Sequence, residues 1–447
     1  MKLVPCFSKF LNVQMSLLFC LLLFLFILSL GGCQKQHSSS IKVGILHSLT
    51  GTMAISERSV VDATLMAIDE INASGGLLGR PIKAVLVDGK SDWPSFAVGA
   101  AKLITEEKVN VIFGCWTSAS RKTVKPVIEQ HDHILFYPVH YEGLEQSPNI
   151  IYTGATPNQQ LFPAVKWSAE MLGKRFFLAA SDHVFPHAAN TLIKKQLNAL
   201  GAEVVGESYL ALGDKNVDKM IDAIVASGAD VVLNTINGDS NLEFFKQLDA
   251  RSIKTPVMSF SIAEDEVQLL GGKVMVGHYA ARNYFQSLKS SVNQQFVARF
   301  KQKYGDHRTT NAAMEAGYLG VYLWAKAVTH TNTPDSSTVR GALKGMSFEA
   351  PEGKVTVSAI NNHLWKPLYI GQIQQDGQFR IVWGEPQPIR PLPYPSYRTR
   401  QFWHRYLDTL YQGWNQSWAV PVFTKEKTPV FNRTDNFSLT PSSNEPG

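Results

Sequence analysis

The residue types that could do chemistry gather in one short stretch, Gly114-Cys115-Trp116-Thr117-Ser118-Ala119-Ser120. An apolar run over 109–113 leads into it and reads as a buried strand, and a helix leaves it from Ala119. Thr117 and Ser118 stand where an N-cap belongs, because a hydroxyl oxygen there satisfies backbone donors that no helical carbonyl reaches. A helix that starts directly after a strand turns its free N–H groups toward whatever lies in front of it. Trp116 adds a flat apolar wall beside those donors. Donors next to an indole suit a small planar carbonyl compound.

Covalent and metal chemistry find less support. The chain has no Gly-x-Ser-x-Gly elbow, no His-Glu-x-x-His and no paired cysteine ligands. His183 and His187 have the spacing of a helical metal pair, but Pro186 between them is expected to interrupt the helix. His131-Asp132-His133 reads as a solvated turn before a strand. Cys115 is the thiol that remains once Cys6, Cys20 and Cys33 are assigned to the N-terminal segment. With no activating partner beside it, it reads as a buried structural thiol. No metal, cofactor or catalytic residue is assigned, and the chain reads as a binder rather than an enzyme.

The 447 residues are 45% hydrophobic and 18% charged, enough for two sizeable cores. A net charge of +6 comes without the concentrated basic face that nucleic acid requires, so no nucleic-acid partner is expected. Residues 1–32 read as a signal peptide: Lys2 and Lys9 precede an apolar run over 17–28 that ends in Leu30-Gly31-Gly32-Cys33. That ending is similar to the bacterial lipoprotein box, which implies lipidation of Cys33 and a membrane-anchored protein of the periplasm or cell envelope. An uncleaved anchor helix is the alternative. Residues 33–40 form a polar tether.

From residue 41 strands and helices alternate. Strands are expected over 41–46, 81–88, 109–113, 134–137, 175–180, 203–210 and 230–234, and helices over 59–72, 96–106, 159–172, 188–200, 217–227 and 241–250. The segment 276–285 reads as a connection back to the first lobe. Such alternation means parallel sheets covered on both faces, which bind ligands outside the carboxyl ends of their strands. Those ends carry Trp116, Thr117, Ser118, Tyr137, Val139, His140 and Tyr141 in a first lobe. Asp182, His183, Phe185, Thr235, Asn237 and Phe260 occupy the same positions in a second. Aromatic plates, hydroxyls and amides suit a neutral polar ligand that needs donors and acceptors. Over 396–423, Phe402, Tyr406, Leu407, Leu410, Tyr411 and Trp414 fall at helical spacing. This amphipathic extension can pack on the body, dock a partner or lie on a membrane. Residues 424–447 are polar, and disorder is expected there.

Several longer segments add a likeness to a known family: Gly44-Ile45-Leu46-His47-Ser48-Leu49-Thr50-Gly51, Gly114 to Lys122, Phe136-Tyr137-Pro138-Val139 with Tyr141-Glu142-Gly143, and Asn158-Gln159-Gln160. Asn234 to Asn241, Asn283-Tyr284-Phe285-Gln286 and Asn362-His363-Leu364-Trp365-Lys366-Pro367 complete the set. Over 41–395 the chain resembles the type 1 periplasmic binding proteins, in the branch that binds urea and short amides. Trp116 before Thr117-Ser118 matches the urea group, whereas the amide binders have Tyr before Met-Ser. The resemblance implies an α/β fold of two lobes, each a parallel sheet flanked by helices, joined by three hinge crossovers and closing on the ligand. Lobe 1 would comprise 41–156 with 283–354, and lobe 2 would comprise 157–282 with 355–395. Ser118 and nearby amides would meet the ligand oxygen, with Trp116 and Tyr137 as walls. The family usually has Tyr at the position of His183, and the urea group often has Gln at that of His140, so both departures bear on selectivity. The implied function is the receptor of an ABC importer, taking urea or a related small amide to permease subunits. A sensor that passes ligand state to a regulator is the alternative.

Overall fold

The computed structural model describes residues 40–420. The signal segment, the lipidation site Cys33 and the tail over 424–447 lie outside the described residues. Strand β1 (Ile41–His47) is followed by helix α1 (Ala54–Ala73), β2 (Ile82–Asp88), α2 (Trp93–Thr105), β3 (Ile112–Gly114), α3 (Ser118–Gln130), β4 (Leu135–Tyr137) and β5 (Ile150–Tyr152). The five strands pair in parallel in the order β2-β1-β3-β4-β5. Central strands read as unbroken apolar runs because helices bury both faces. Helix α1 begins before the expected residue 59, because its first turn carries buried polar residues, Ser56 and Glu57, in place of an apolar stripe.

The second lobe contains α4 (Leu161–Met171), β6 (Arg175–Ser181), α5 (Val184–Ala199), β7 (Glu203–Leu210), α6 (Asp218–Ser227), β8 (Val231–Thr235), α7 (Asp239–Ala250), β9 (Val257–Ser259), α8 (Glu264–Leu270), α9 (Gly272–Met275) and β10 (Tyr279–Arg282). The chain returns to the first lobe through α10 (Ser291–Tyr304), α11 (Ala312–Thr331), α12 (Ser336–Leu343), β11 (Ser347–Ala350) and β12 (Gly353–Val357). It ends with β13 (Leu364–Ile373), β14 (Phe379–Ile389) and α13 (Arg400–Gly413). Strands β7-β6-β8-β9-β10 are parallel, and β13 and β14 add antiparallel at the β10 edge. Phe177, Val232 and Phe245 fill one face of this sheet, and Phe176, Leu178 and Ile193 fill the other.

Side-chain amides stitch the three passages between the lobes. Gln159 Nε2 donates to the carbonyls of Leu364 and Ile389, both at 2.8 Å. Gln160 Nε2 donates to Ala281 O at 2.8 Å, and Asn283 Nδ2 donates to Gln159 O and Pro367 O. The expected start of the last lobe 2 segment at 355 needs correction. Val355, Val357 and Leu364 pack in the first lobe's core, so the chain crosses only as β13 begins.

The C-terminal extension packs on the body. Trp403, Leu407, Leu410 and Trp414 of α13 are buried against Ala119 and Leu144 of the first lobe and Val184, Ala188 and Leu192 of the second. Beyond the helix, Val184 N–H donates to Trp418 O at 2.9 Å and Val420 N–H to Asp182 O at 3.2 Å. Among the described residues no helix is long and apolar enough to cross a membrane. Trp403 is 1% exposed. Trp403→Ala is therefore expected to lower stability by about 3–5 kcal/mol. Arg405→Ala, on the exposed side of the same helix, should stay within about 0.5 kcal/mol; guanidinium unfolding of both variants checks the difference.

Candidate ligand-binding cleft

The first wall is the turn from β3 to α3. Gly114 lies so close to β1 that a Cβ there would sit 2.3 Å from Leu46 O. Cys115 follows with φ +65°, a left-handed conformation unusual for a non-glycine residue. This tight path throws Trp116 forward. Tyr137 Oη donates to Trp116 O at 2.6 Å and pins the loop, and Thr117 caps α3 by accepting Ser120 N–H at 3.0 Å. Ser118 Oγ donates to Glu142.

A buried charge cluster stands behind this wall. The Arg121 guanidinium lies 4.6 Å from the Tyr137 ring centre and 4.4 Å from that of Tyr141, and its Nε donates to Glu145 Oε1 at 2.8 Å. Lys122 Nζ reaches Glu145 Oε2 at 3.0 Å. Burial alone would raise the Glu145 carboxyl, but Arg121 and Lys122 outweigh it and hold the group well below the carboxylate range. Two expected ligand contacts are corrected here. Tyr137 and Tyr141 are box walls around Arg121, fully buried behind the cleft, and neither lines the cavity.

The second wall is the turn from β6 to α5. His183 is completely buried, with Nε2 2.9 Å from Asn237 Oδ1. The Asn237 amide nitrogen donates to Ser261 Oγ at 2.9 Å, which turns its oxygen toward the histidine. Burial draws the His183 imidazole down to about 4, so the ring is neutral at pH 7. With Nε2 the donor, Nδ1 is an acceptor, and among the described residues it has no partner. Burial and the neighbouring Arg282 likewise hold His140 well below its ordinary value. Pro186 does not interrupt the helix as expected. It falls in the first turn of α5, where its missing N–H is not needed. His187 pairs with Asp182 at 2.7 Å, away from the cavity.

Between the walls lies a cavity of about 10 Å³, the space open to the centre of a water-sized sphere, lined by Trp116, Thr117, Ser118, Val139, His140, His183, Phe185 and Asn237. The structure thus brings together eight of the thirteen expected ligand residues. Besides the two tyrosines, Asp182, Thr235 and Phe260 are corrected. Asp182 faces His187, Thr235 Oγ1 points to Ala179 O at 3.5 Å within the sheet, and Phe260 lies in the core.

The lobes are closed over this space. Ser56 Oγ donates to Glu266 Oε1 at 2.7 Å and Ser59 Oγ to Asp265 Oδ2 at 3.0 Å, while Thr52 bonds to Asp239. Toward the hinge, Arg282 Nη1 approaches His140 Nδ1 at 3.2 Å. A second cavity of about 30 Å³ opens there, sharing Trp116, Val139 and His140 and adding Gln160, Ser261, Arg282 and Asn311. Sequence reasoning gave no ligand role to Gln160, Arg282 or Asn311. The signal was an arginine inside an otherwise apolar segment, at the carboxyl end of what proves to be β10.

Glu264 gives this closing edge a pH dependence. Burial raises its carboxyl to about 8, with Oε1 accepting Gln286 N–H at 2.7 Å. The folded state therefore keeps a proton that the unfolded chain releases near 4.5. Its stabilisation is complete below pH 4.5 and is lost as pH rises through 8. Relative to Glu264→Gln, the wild type should lose about 1.4 kcal/mol per pH unit across this window. Guanidinium unfolding at stepped pH measures it, and parallel profiles for the two proteins would contradict it.

Comparison with known proteins places the chain in a family. Residues 41–400 match the periplasmic binding protein domain, and the protein belongs to that family. Its two-lobed α/β architecture is that of the type 1 members. The leucine-, isoleucine-, valine-, threonine- and alanine-binding protein of Pseudomonas aeruginosa is 23% identical over 329 residues, covering 72% of this chain and 86% of that one. A solute-binding protein of an ABC transporter from Rhodopseudomonas palustris HaA2, solved with p-hydroxybenzoic acid, superposes with a TM-score of 0.71 at 24% identity, covering 78% of this chain and 98% of that one. A protein named limonene hydroxylase from Geobacillus stearothermophilus is 30% identical over 176 residues, 38% of this chain, and the match spans only 32% of that relative.

Proposed function

We propose that the protein is the receptor of an ABC importer that captures urea or a closely related small amide between its lobes and releases it to permease subunits. Periplasmic location and attachment through Cys33 belong to the same reading. One observation carries it: among the described residues, the cavity between Trp116 and His183 is lined without an ionised group, and its buried acceptor, His183 Nδ1, lacks a donor. In this closed form the cavity holds no more than about one water, so the ligand enters with the lobes parted further, and its N–H then supplies that donor. The ligand carbonyl meets the first-turn N–H groups of α3, which have no helical acceptor, and the Trp116 indole covers one face. An amino acid or a hydroxybenzoic acid, the ligands in the names of two relatives, carries a carboxylate; the lining of this cavity holds no lysine or arginine among the described residues, and the nearby Arg282 lies in the adjoining hinge-side cavity.

Size sets the affinity. At a ceiling of about 1.5 kcal/mol per heavy atom, urea gains roughly 6 kcal/mol, a Kd in the tens of micromolar. That ceiling is approached only when each polar edge finds a partner in a closed, dry site. A sensor role is the second reading. It is favoured by the pairing of residues 418–420 with the strand end that carries His183, which ties the extension to the ligand wall.

Calorimetry with urea, formamide, acetamide, leucine and p-hydroxybenzoate tests the ligand class. Urea or an amide should bind, Trp116→Ala and His183→Ala should each abolish the heat, and Asp182→Ala should keep it within a fewfold. Binding of leucine or p-hydroxybenzoate alone would overturn the reading.

A further inference from the structure

The C-terminal extension makes a passage between the lobes that lies outside the hinge. It leaves the first lobe at Pro393, whose carbonyl accepts Leu144 N–H at 2.7 Å, just after Pro391 O accepts from Asn361 Nδ2 at 3.2 Å. The polar anchors of α13 are on the second lobe: Tyr406 Oη bonds to Thr191 Oγ1 at 2.9 Å and donates to His187 O at 3.1 Å. Asn415 and Gln416 then take φ of +55° and +58°, a left-handed ending that stops the helix and turns the chain back. It returns along the turn from β6 to α5, where Ala419 pairs antiparallel with His183. Val184 N–H donates to Trp418 O and Val420 N–H to Asp182 O, so both neighbours of His183 are pinned to the extension. Successive side chains in an extended segment face opposite ways, so fixing the neighbours fixes the direction of the imidazole.

The ring of Trp418 reaches the other lobe. It lies 5.2 Å from the Lys122 ammonium and packs against the Tyr411 ring at 4.6 Å. Lys122 is itself fixed by Glu145 at 3.0 Å and Glu142 at 3.4 Å. Leu407 of α13 lines one groove together with Leu144, Lys122 and Trp418. The helix and its return thus meet the first lobe through an apolar seam and a ring beside a cation, and the second through backbone and hydroxyl bonds. The seam parts without stranding a polar atom, whereas release from the second lobe would leave the buried Val184 N–H without its acceptor. Helix α13 therefore travels with the second lobe, and closure makes the seam with the first.

We propose that the extension is a strap that favours the closed form and that Trp418 is a positioning residue within it. The Trp418 ring holds Lys122 in the first lobe, while its backbone sets the turn that carries His183 in the second. The cavity is complete only when the lobes meet, so the strap raises affinity by raising the fraction of molecules competent to hold a ligand. It rests on contacts between the lobes and acts on whichever solute the cleft takes.

Double electron–electron resonance between spin labels on Lys102→Cys of α2 and Lys246→Cys of α7, exposed positions on opposite lobes, reads the opening directly. The full chain carries Cys6→Ser, Cys20→Ser and Cys33→Ser, and the remaining Cys115 is buried from the reagent. No solute is added, so the outcome does not depend on the urea reading. The strap-intact chain should give one short distance. Leu407→Ala combined with Trp418→Ala should raise the long-distance population about fivefold or more. Trp418→Phe, which keeps a ring beside Lys122, should stay closed. Val328→Ala, a cavity in the first lobe's core, lowers stability without touching the strap and should also stay closed. The proposal is overturned by a strap-intact chain that is already open or by a double variant as closed as its parent. Opening in Trp418→Phe or Val328→Ala equal to that of the double variant overturns it as well.

Discussion

The buried guanidinium of Arg121 is the interaction on which the cleft depends. It is clamped between the rings of Tyr137 and Tyr141 and neutralised by Glu145, with Lys122 closing the cluster. Removing one partner from such a buried set costs about 3–5 kcal/mol, because the remaining charge is left stranded. The geometric consequence matters more than the energy. Arg121 belongs to α3, while Tyr137, Tyr141 and Glu145 belong to the strand β4 and the loop beyond it. The cluster therefore locks the turn that presents Trp116 and Ser118 to the loop that presents Val139 and His140. One wall of the cavity becomes a single stiff piece, and closure is left to the other lobe.

That closure is a polar event at the edges and an uncharged one at the centre. Hydroxyls of α1 meet the carboxyl groups at the start of α8, and amides of Gln159, Gln160 and Asn283 hold the three crossovers in register. Inside, burial strips His140 and His183 of charge, so the ring nitrogens act as directional acceptors and donors. Selectivity in such a space comes from whether each buried polar atom finds its complement. Helix α13 contributes apolar cover to both lobes beside this site, on the flank where α3 and α5 begin.

The alternating strands and helices were legible because each central strand is an unbroken apolar run and each helix presents one apolar face. What failed has particular causes. β5 is three residues, too short to show a period. The start of α1 was hidden because Ser56 and Ser59 face the opposite lobe rather than a core. Within the site, position after a strand identified the right loops but not which side chains enter the cavity. Neighbouring side chains in an extended segment point in opposite directions, so with His183 turned inward Asp182 turns out toward His187. Tyr137 and Tyr141 look like ligand walls in sequence because nothing there reveals that Arg121 stands between them and serves as their partner. Arg282 escaped notice because its segment read as a connection rather than as the strand β10.

All of this converges on the protonation state of one imidazole. Nitrogen-15 NMR of the His183 ring at pH 7, with and without urea, tests the account most directly. The account predicts a neutral ring with hydrogen on Nε2 in the free protein, and an Nδ1 resonance that shifts on adding urea as it accepts an N–H. A protonated imidazolium, a ring with hydrogen on Nδ1, or an Nδ1 signal indifferent to urea would contradict it.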